Sequence, residues 1–208
     1  MTSRVYDLAI LVAVWGAYAR VACVLLASAR TFRNRRRFVT FKMGAAEMAA
    51  APEPVLLVAT TYVLHTYRPA VAVVSVPETA AAVAGAMLVL AAWVVTIWAF
   101  LSWPGLFVGH GVVEGQRLMT SGAYGFVRHP IYLAVALVWL GLAVAFASPA
   151  ALLLTVLYVI PSYVFYMRSE EAMMIGAFGE TYRAYQRAVP FLVPRLSGRA
   201  RSAQAASA

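Results

Sequence analysis

Cysteine is almost missing from this chain. Cys23 is the only one and lies inside an apolar run, so no internal disulfide can form, no cysteine metal site exists, and its role is that of a small core residue. The three histidines, His65, His110 and His129, are scattered without ligand spacing, and no metal is expected. Charge is scarce as well: 12% of the 208 residues are charged and 63% are hydrophobic, far too little polar surface for a soluble domain of this length. The mean hydropathy of +0.78 points to a membrane protein. What charge there is leans one way, with 17 Lys and Arg against 8 Asp and Glu, a net +9. There is no base-reading motif and no aromatic-basic strand pattern, which excludes nucleic acid. The excess instead reports orientation in the bilayer and contact with anionic headgroups.

Long apolar runs are what the chain does have. The first covers about Leu8 to Ala29, with Arg20 as its one charge. Arg4, the short apolar region and Ala27-Ser28-Ala29 also fit a signal peptide. Cleavage there would export the basic Arg30 to Lys42 cluster against the positive-inside tendency, so a retained helix is expected. Gly44 to Pro54, with Glu47 and Glu53, reads as a short interfacial helix closed by its prolines. A second run, about Val55 to Val76, is interrupted by His65, Arg68 and Pro69, and a third, Ala80 to Trp103, follows a helix start at Pro77-Glu78-Thr79. Ala84, Gly85 and Ala92 in that run permit close helix contact. Pro104 to Val127 is rich in glycine and cannot lie in hydrocarbon. A fourth run, Ile131 to Ala147, and a fifth, Ala150 to Tyr166, are joined by Ser148-Pro149, a turn so tight that it forces an antiparallel hairpin. The spacing of Glu180, Arg183 and Arg187 places them on one face of a last helix, and the chain after Pro194 has a disordered composition.

The expectation is an all-α integral membrane protein of about five transmembrane helices ending in a helical hairpin. With the N-terminus outside, fourteen Lys and Arg fall on the inner side and only Arg4 and Arg68 on the outer. That asymmetry places the glycine-rich segment, the end of the hairpin and the C-terminus in the cytoplasm, most simply beneath a cell inner membrane.

The stretch Gly122 to Tyr132, G-A-Y-G-F-V-R-H-P-I-Y, ends a polar turn and starts an apolar helix at Pro130. Such a helix mouth attracts an anion through its free N–H groups, with Arg128 and His129 alongside; it is equally a loop that simply enters a membrane helix. In an antiparallel hairpin Arg128, His129 and Tyr132 come near Arg168, Glu170 and Glu171. Charges of both signs, with Tyr124, Tyr132, Tyr163 and Tyr166 close by, can hold a zwitterion that carries an aromatic appendage, or make an ordinary membrane-surface cluster of ion pairs. Against transport, no span has an evident buried carboxylate, since Asp7 and Glu78 are both at helix ends.

The order L-M-T-S-G-A-Y-G-F-V-R-H-P-I-Y, an apolar hairpin, E-E, then F-G-E-T-Y-R-A-Y and V-P resembles the isoprenylcysteine carboxyl methyltransferase family and the related phospholipid methyltransferases. The likeness covers about Glu114 to Pro194. It implies an integral-membrane methyltransferase with a cytoplasmic pocket for S-adenosylmethionine. Carried over residue by residue, the cofactor would be held by Gln116, Arg117, Leu118 and Met119, by Tyr124, by His129, Pro130, Ile131 and Tyr132, and by Glu170. Arg168 and Glu170 are the catalytic candidates. The chain then divides into N-terminal transmembrane helices (1–103), a methyltransferase core (104–194) and a tail (195–208).

The implied acceptor is lipid-like and reaches the site from the bilayer, as an isoprenylcysteine carboxylate would; a phospholipid amine and a small thiol are the alternatives, and a non-enzymatic membrane scaffold is the rival class. One departure bears on the choice. The eukaryotic isoprenylcysteine enzymes carry an arginine four residues before this glutamate, where this chain has Tyr166.

Overall fold

The computed structural model describes residues 2–33, 38–41, 44–67, 77–103 and 111–194. Arg35, Arg36, Arg37 and Lys42 of the basic cluster, the 68–76 end of the second apolar run, residues 104–110 of the glycine-rich segment and the 195–208 tail lie outside the described residues.

The fold is mainly helical. Helix α1 runs Thr2–Arg33, α2 Ala45–Ala50, α3 Glu53–Thr66, α4 Glu78–Ser102, α5 Ala123–Phe126, α6 Pro130–Ala145, α7 Pro149–Phe178 and α8 Glu180–Ala188. Among the described residues three helices are long and apolar enough to cross a membrane, at 27, 25 and 30 residues: Arg4–Arg30, Glu78–Ser102 and Pro149–Phe178. At about 1.5 Å per residue each exceeds the roughly 30 Å of bilayer hydrocarbon. The other two runs make shorter helices, 14 residues in α3 and 16 in α6, about 21 and 24 Å long, less than a full crossing. Five runs were expected to span, and the difference lies in these two.

A small antiparallel ladder adds to the helices. Phe38–Phe41 (β1) pairs with Gly111–Val113 (β2), Thr40 opposite Val112, and so ties the segment after α1 to the glycine-rich segment. Four-residue and three-residue strands are too short to show a period in sequence.

Helices α4 and α6 approach most closely. A Cβ built on Gly85 would stand 2.3 Å from the Gly141 carbonyl oxygen and 2.5 Å from the Ala145 nitrogen, so the two backbones touch. Around that contact Ala82, Val89, Ala134, Val138, Trp139 and Leu142 form the core, joined by Ala13 and Ala17 of α1. Trp93 donates its indole N–H to the Gly16 carbonyl at 2.9 Å, which fixes α1 against α4.

Between α6 and α7 the chain turns at Phe146-Ala147-Ser148. Ala147 takes a φ of 45°, Ser148 N–H bonds Ala143 O at 2.9 Å, and the Ser148 hydroxyl accepts from Ala151 N–H at 3.2 Å to cap α7. Helix α7 is not uniform. Thr155–Val159 is a π-turn, in which Ile160 N–H reaches back to Thr155 O. Pro161 follows at once; it has no N–H for the Leu157 carbonyl, and the wider turn accommodates it. Beyond Tyr166 the helix continues unbroken to Phe178, and Gly179, at φ 56°, bends the chain into α8.

Candidate functional site

The site forms where the start of α6 meets the far part of α7. Pro130 opens α6 behind His129, whose side chain makes no capping bond. Pro130 has no N–H, and the Ile131 and Tyr132 N–H groups precede the first acceptor within the helix, so the helix mouth keeps its donors. Leu133 N–H closes the first turn onto His129 O at 3.0 Å.

Facing that mouth, Glu170 and Glu171 have different surroundings. Glu171 Oε1 accepts from Arg128 Nε at 2.6 Å and lies 3.1 Å from His129 Nε2, while Oε2 accepts from Gln186 Nε2 at 2.9 Å. Arg128 goes further: its Nη1 donates to the carbonyls of Gln186 at 2.8 Å and Val189 at 2.6 Å, and its backbone N–H to Pro190 O at 2.9 Å. Arg128 is therefore a clasp on the segment after α8 rather than a free donor beside the mouth. Phe191 completes the clasp, its ring 5.0 Å from that of His129 and 5.4 Å from the Arg128 guanidinium carbon.

Glu170 is half-buried, and its Oε2, shielded from solvent, has no hydrogen-bond partner among the described residues. His129 Nδ1 stands 3.9 Å from that oxygen, beyond hydrogen-bond reach. With Nε2 donating to Glu171, a neutral His129 presents Nδ1 as an acceptor. Nδ1 and Glu170 Oε2 then form two acceptors that a bound donor group can bridge. Tyr124, Tyr132, Tyr166, Tyr182 and Tyr185 all feel the Glu170 charge. The Tyr132 ring is 5.5 Å from those of Tyr163 and Tyr166, and 5.7 Å from His129. Tyr185 donates to Tyr124 O at 2.6 Å, and Tyr124 packs edge-on to Trp103 at 5.3 Å. Burial raises the phenols of Tyr124, Tyr182 and Tyr185 well above their ordinary range, so they are uncharged donors at neutral pH.

Of the residues singled out by sequence, Tyr124, His129, Pro130, Ile131, Tyr132 and Glu170 come together here. Leu118 lies with Val112, Met173, Met174, Tyr182 and Tyr185 in the adjoining apolar cluster. Gln116 is held against β2, its Oε1 accepting from Val113 N–H at 3.0 Å. Met119 is half-buried, with the Ser121 hydroxyl 3.5 Å from its sulfur. Arg117 and Arg168 are exposed and do not join the cluster; Arg168, two residues before Glu170, lies about 200° around the helix from it.

Sequence reasoning missed Glu53. Expected in an interfacial segment, it instead opens α3 and is buried, its Oε1 accepting from Trp139 Nε1 at 2.7 Å. The chain does have a buried carboxylate. Among the described residues no cluster of three or more metal-ligating side chains occurs.

Comparison with known proteins points the same way as the motifs. Residues 80–181 match the family model for phospholipid methyltransferases. Over 94 residues, 43% of this chain and 34% of the relative, the chain is 36% identical to methanethiol S-methyltransferase 2 of Bradyrhizobium diazoefficiens. Over 88 residues, 41% of this chain and 30% of the relative, it is 33% identical to protein-S-isoprenylcysteine O-methyltransferase of Xenopus laevis. The matched stretch spans about a third of the length of either relative. Residues 80–181 are thus similar to the phospholipid methyltransferases, and the chain shares stretches of 94 and 88 residues with a methanethiol and an isoprenylcysteine methyltransferase.

Proposed function

We propose that this chain is an integral-membrane methyltransferase that uses S-adenosylmethionine and methylates an acceptor drawn from the bilayer. The observation that carries the reading is the buried Glu170 Oε2, left without a partner among the described residues beside a helix mouth that keeps its donors. A carboxylate so placed is costly unless a ligand completes it. The donor set suits an amino-acid zwitterion: Ile131 and Tyr132 N–H for the carboxylate, Glu170 and His129 Nδ1 for the ammonium. Tyr124 and Leu118, with Tyr182 and Tyr185 behind Leu118, offer an aromatic and apolar wall for the adenine. Residues 104–194 would then form the methyltransferase core upon the helices of 1–103, with the pocket on the cytoplasmic side and the N-terminus outside.

S-adenosylmethionine supplies a methyl group already activated on a sulfonium. The protein's task is to hold that group in line with the acceptor and keep water away. Glu170, His129 and the α6 mouth orient the cofactor, and the tyrosines exclude water. Arg168, being exposed, has no part in this reading.

The first reading of the acceptor is a lipid-like carboxylate such as that of an isoprenylcysteine, ionised at neutral pH and so in no need of a general base. A second reading, an amine or a thiol, is favoured by Tyr166. That residue stands where a carboxylate would call for a cation, its ring 5.5 Å from that of Tyr132 and 6.3 Å from that of Tyr163. Thermal unfolding of the purified protein tests the first step: S-adenosylhomocysteine should raise the midpoint, as a ligand of the native state does. No rise at saturating ligand would reject the reading. Membranes incubated with methyl-labelled cofactor then separate the acceptors, since a base-labile product is a methyl ester and a base-stable one is not.

A further inference from the structure

Beneath the mouth lies a second polar layer, made by residues outside those assigned to the pocket. Arg20, well inside α1, is 3% exposed, and Glu53, at the start of α3, is 5% exposed. Ionisable side chains buried in such helices are costly and are kept for a partner or a function. Arg20 Nε donates to Thr96 Oγ1 at 2.9 Å, and Nη2 to the Ile131 carbonyl at 2.8 Å. Glu53 Oε1 is held by Trp139, and its Oε2 accepts from the Tyr163 hydroxyl at 3.4 Å. The two opposite charges attract each other through space. Each ends on the wall of the pocket. Ile131 is in the first turn of α6 beside Tyr132, and the Tyr163 ring backs the Tyr132 ring at 5.5 Å. The Tyr132 hydroxyl in turn lies against Glu170. Helices α1 and α3 are outside residues 80–181, so the family likeness assigns nothing to either residue.

We propose that Arg20 and Glu53 are positioning residues for the amino-acid end of the cofactor pocket, an inference that rests on the methyltransferase reading above. By gripping the Ile131 carbonyl, Arg20 sets the pitch of the first turn of α6 and so the direction of the Ile131 and Tyr132 N–H groups. By holding Tyr163, Glu53 fixes the ring behind Tyr132 and thus the hydroxyl that meets Glu170. Arg20 also places a cation beside a helix N-terminus, an arrangement the helix dipole disfavours. Glu53, of opposite charge, offsets it in part, and an anion docked at the mouth relieves it further.

Titration of the full-length protein in detergent with two ligands tests this: S-adenosylhomocysteine, which carries the amino-acid end, and methylthioadenosine, which lacks it. In Arg20→Gln and in Glu53→Gln, S-adenosylhomocysteine should bind about tenfold more weakly, while methylthioadenosine changes by less than about twofold. Arg20→Lys should recover part of the loss. Equal weakening of both ligands would mean a structural role alone and overturn the proposal, as would unchanged affinity for S-adenosylhomocysteine. If Arg20→Gln does not fold, Thr96→Val removes one Arg20 acceptor with the charge kept, and the same selective loss, at about threefold, is required. Wild-type protein that binds neither ligand would reject the methyltransferase reading itself, a result distinct from binding that the variants leave intact.

Discussion

Glu171 is gripped by Arg128 at 2.6 Å and Gln186 at 2.9 Å, whereas Glu170, the next residue back, keeps a buried oxygen without a hydrogen-bond partner among the described residues. The two should therefore respond differently to the same change. Glu170→Gln should leave the unfolding midpoint of the ligand-free protein at or above that of wild type and abolish its rise with S-adenosylhomocysteine. Glu171→Gln should instead lower the ligand-free midpoint, by about 3 kcal/mol of stability, because it leaves Arg128 buried without its counter-charge. Calorimetry of both variants with and without ligand checks the pair. The tight Ser148-Pro149 turn, by forcing an antiparallel hairpin, made the meeting of His129 with these glutamates legible from sequence. The occupation of Arg128 by the carbonyls of Gln186 and Val189 was not, since a backbone acceptor carries no residue signature. Tyr124, Tyr182 and Tyr185 set the alkaline limit of this site. Their folded pKa values are raised by burial, so their contribution is fully present below the ordinary phenol value of about 10 and is lost as pH climbs from there through the folded values. The unfolding midpoint should be insensitive to these groups up to about pH 10 and fall above it. Tyr185→Phe should fall less steeply over that range.

Among the elements, the contact of α4 with α6 is the least forgiving. Gly85→Ala would drive a methyl group onto the Gly141 carbonyl and the Ala145 backbone, which belong to a helix that cannot yield locally. A loss of about 2 to 3 kcal/mol is expected, read as a lower midpoint in thermal unfolding. The turn after α6 offers the reverse. Ala147 holds a left-handed φ of 45° that glycine adopts freely, so Ala147→Gly should stabilise the protein by about 1 kcal/mol in the same measurement. Small residues in the third apolar run were legible as a close-packing surface, and Gly85 is where it is used. The separate short helices α2 and α3 and the β1–β2 ladder were harder to read. Their placement depends on distant partners: Glu53 on Trp139, and Phe38–Phe41 on Gly111–Val113. A window of neighbouring residues does not contain those partners.

For the whole molecule, the long apolar runs were legible because a bilayer imposes them on composition. How the N-terminal helices meet the site was not, because it rests on isolated polar residues within apolar surroundings. Arg20 stood out in the first run as its single charge, yet its partners Thr96 and Ile131 lie far along the chain.

The π-turn at Thr155–Val159 has a consequence for how this chain lines up with its kin. One extra residue in that turn shifts the phase of everything after it by about 100°. The face of α7 that carries Glu170 toward His129 is therefore dialled in more than two turns upstream, at a place with no catalytic residue. Removing a single residue from 155–159 would take out the extra residue and leave Glu170 on the same face, whereas straightening the turn with every residue kept would rotate Glu170 by about 100° away from His129. In this helix a gap of one position at 155–159 is compatible with the same site geometry, whereas an ungapped helix without the wider turn is not, even with each signature residue present.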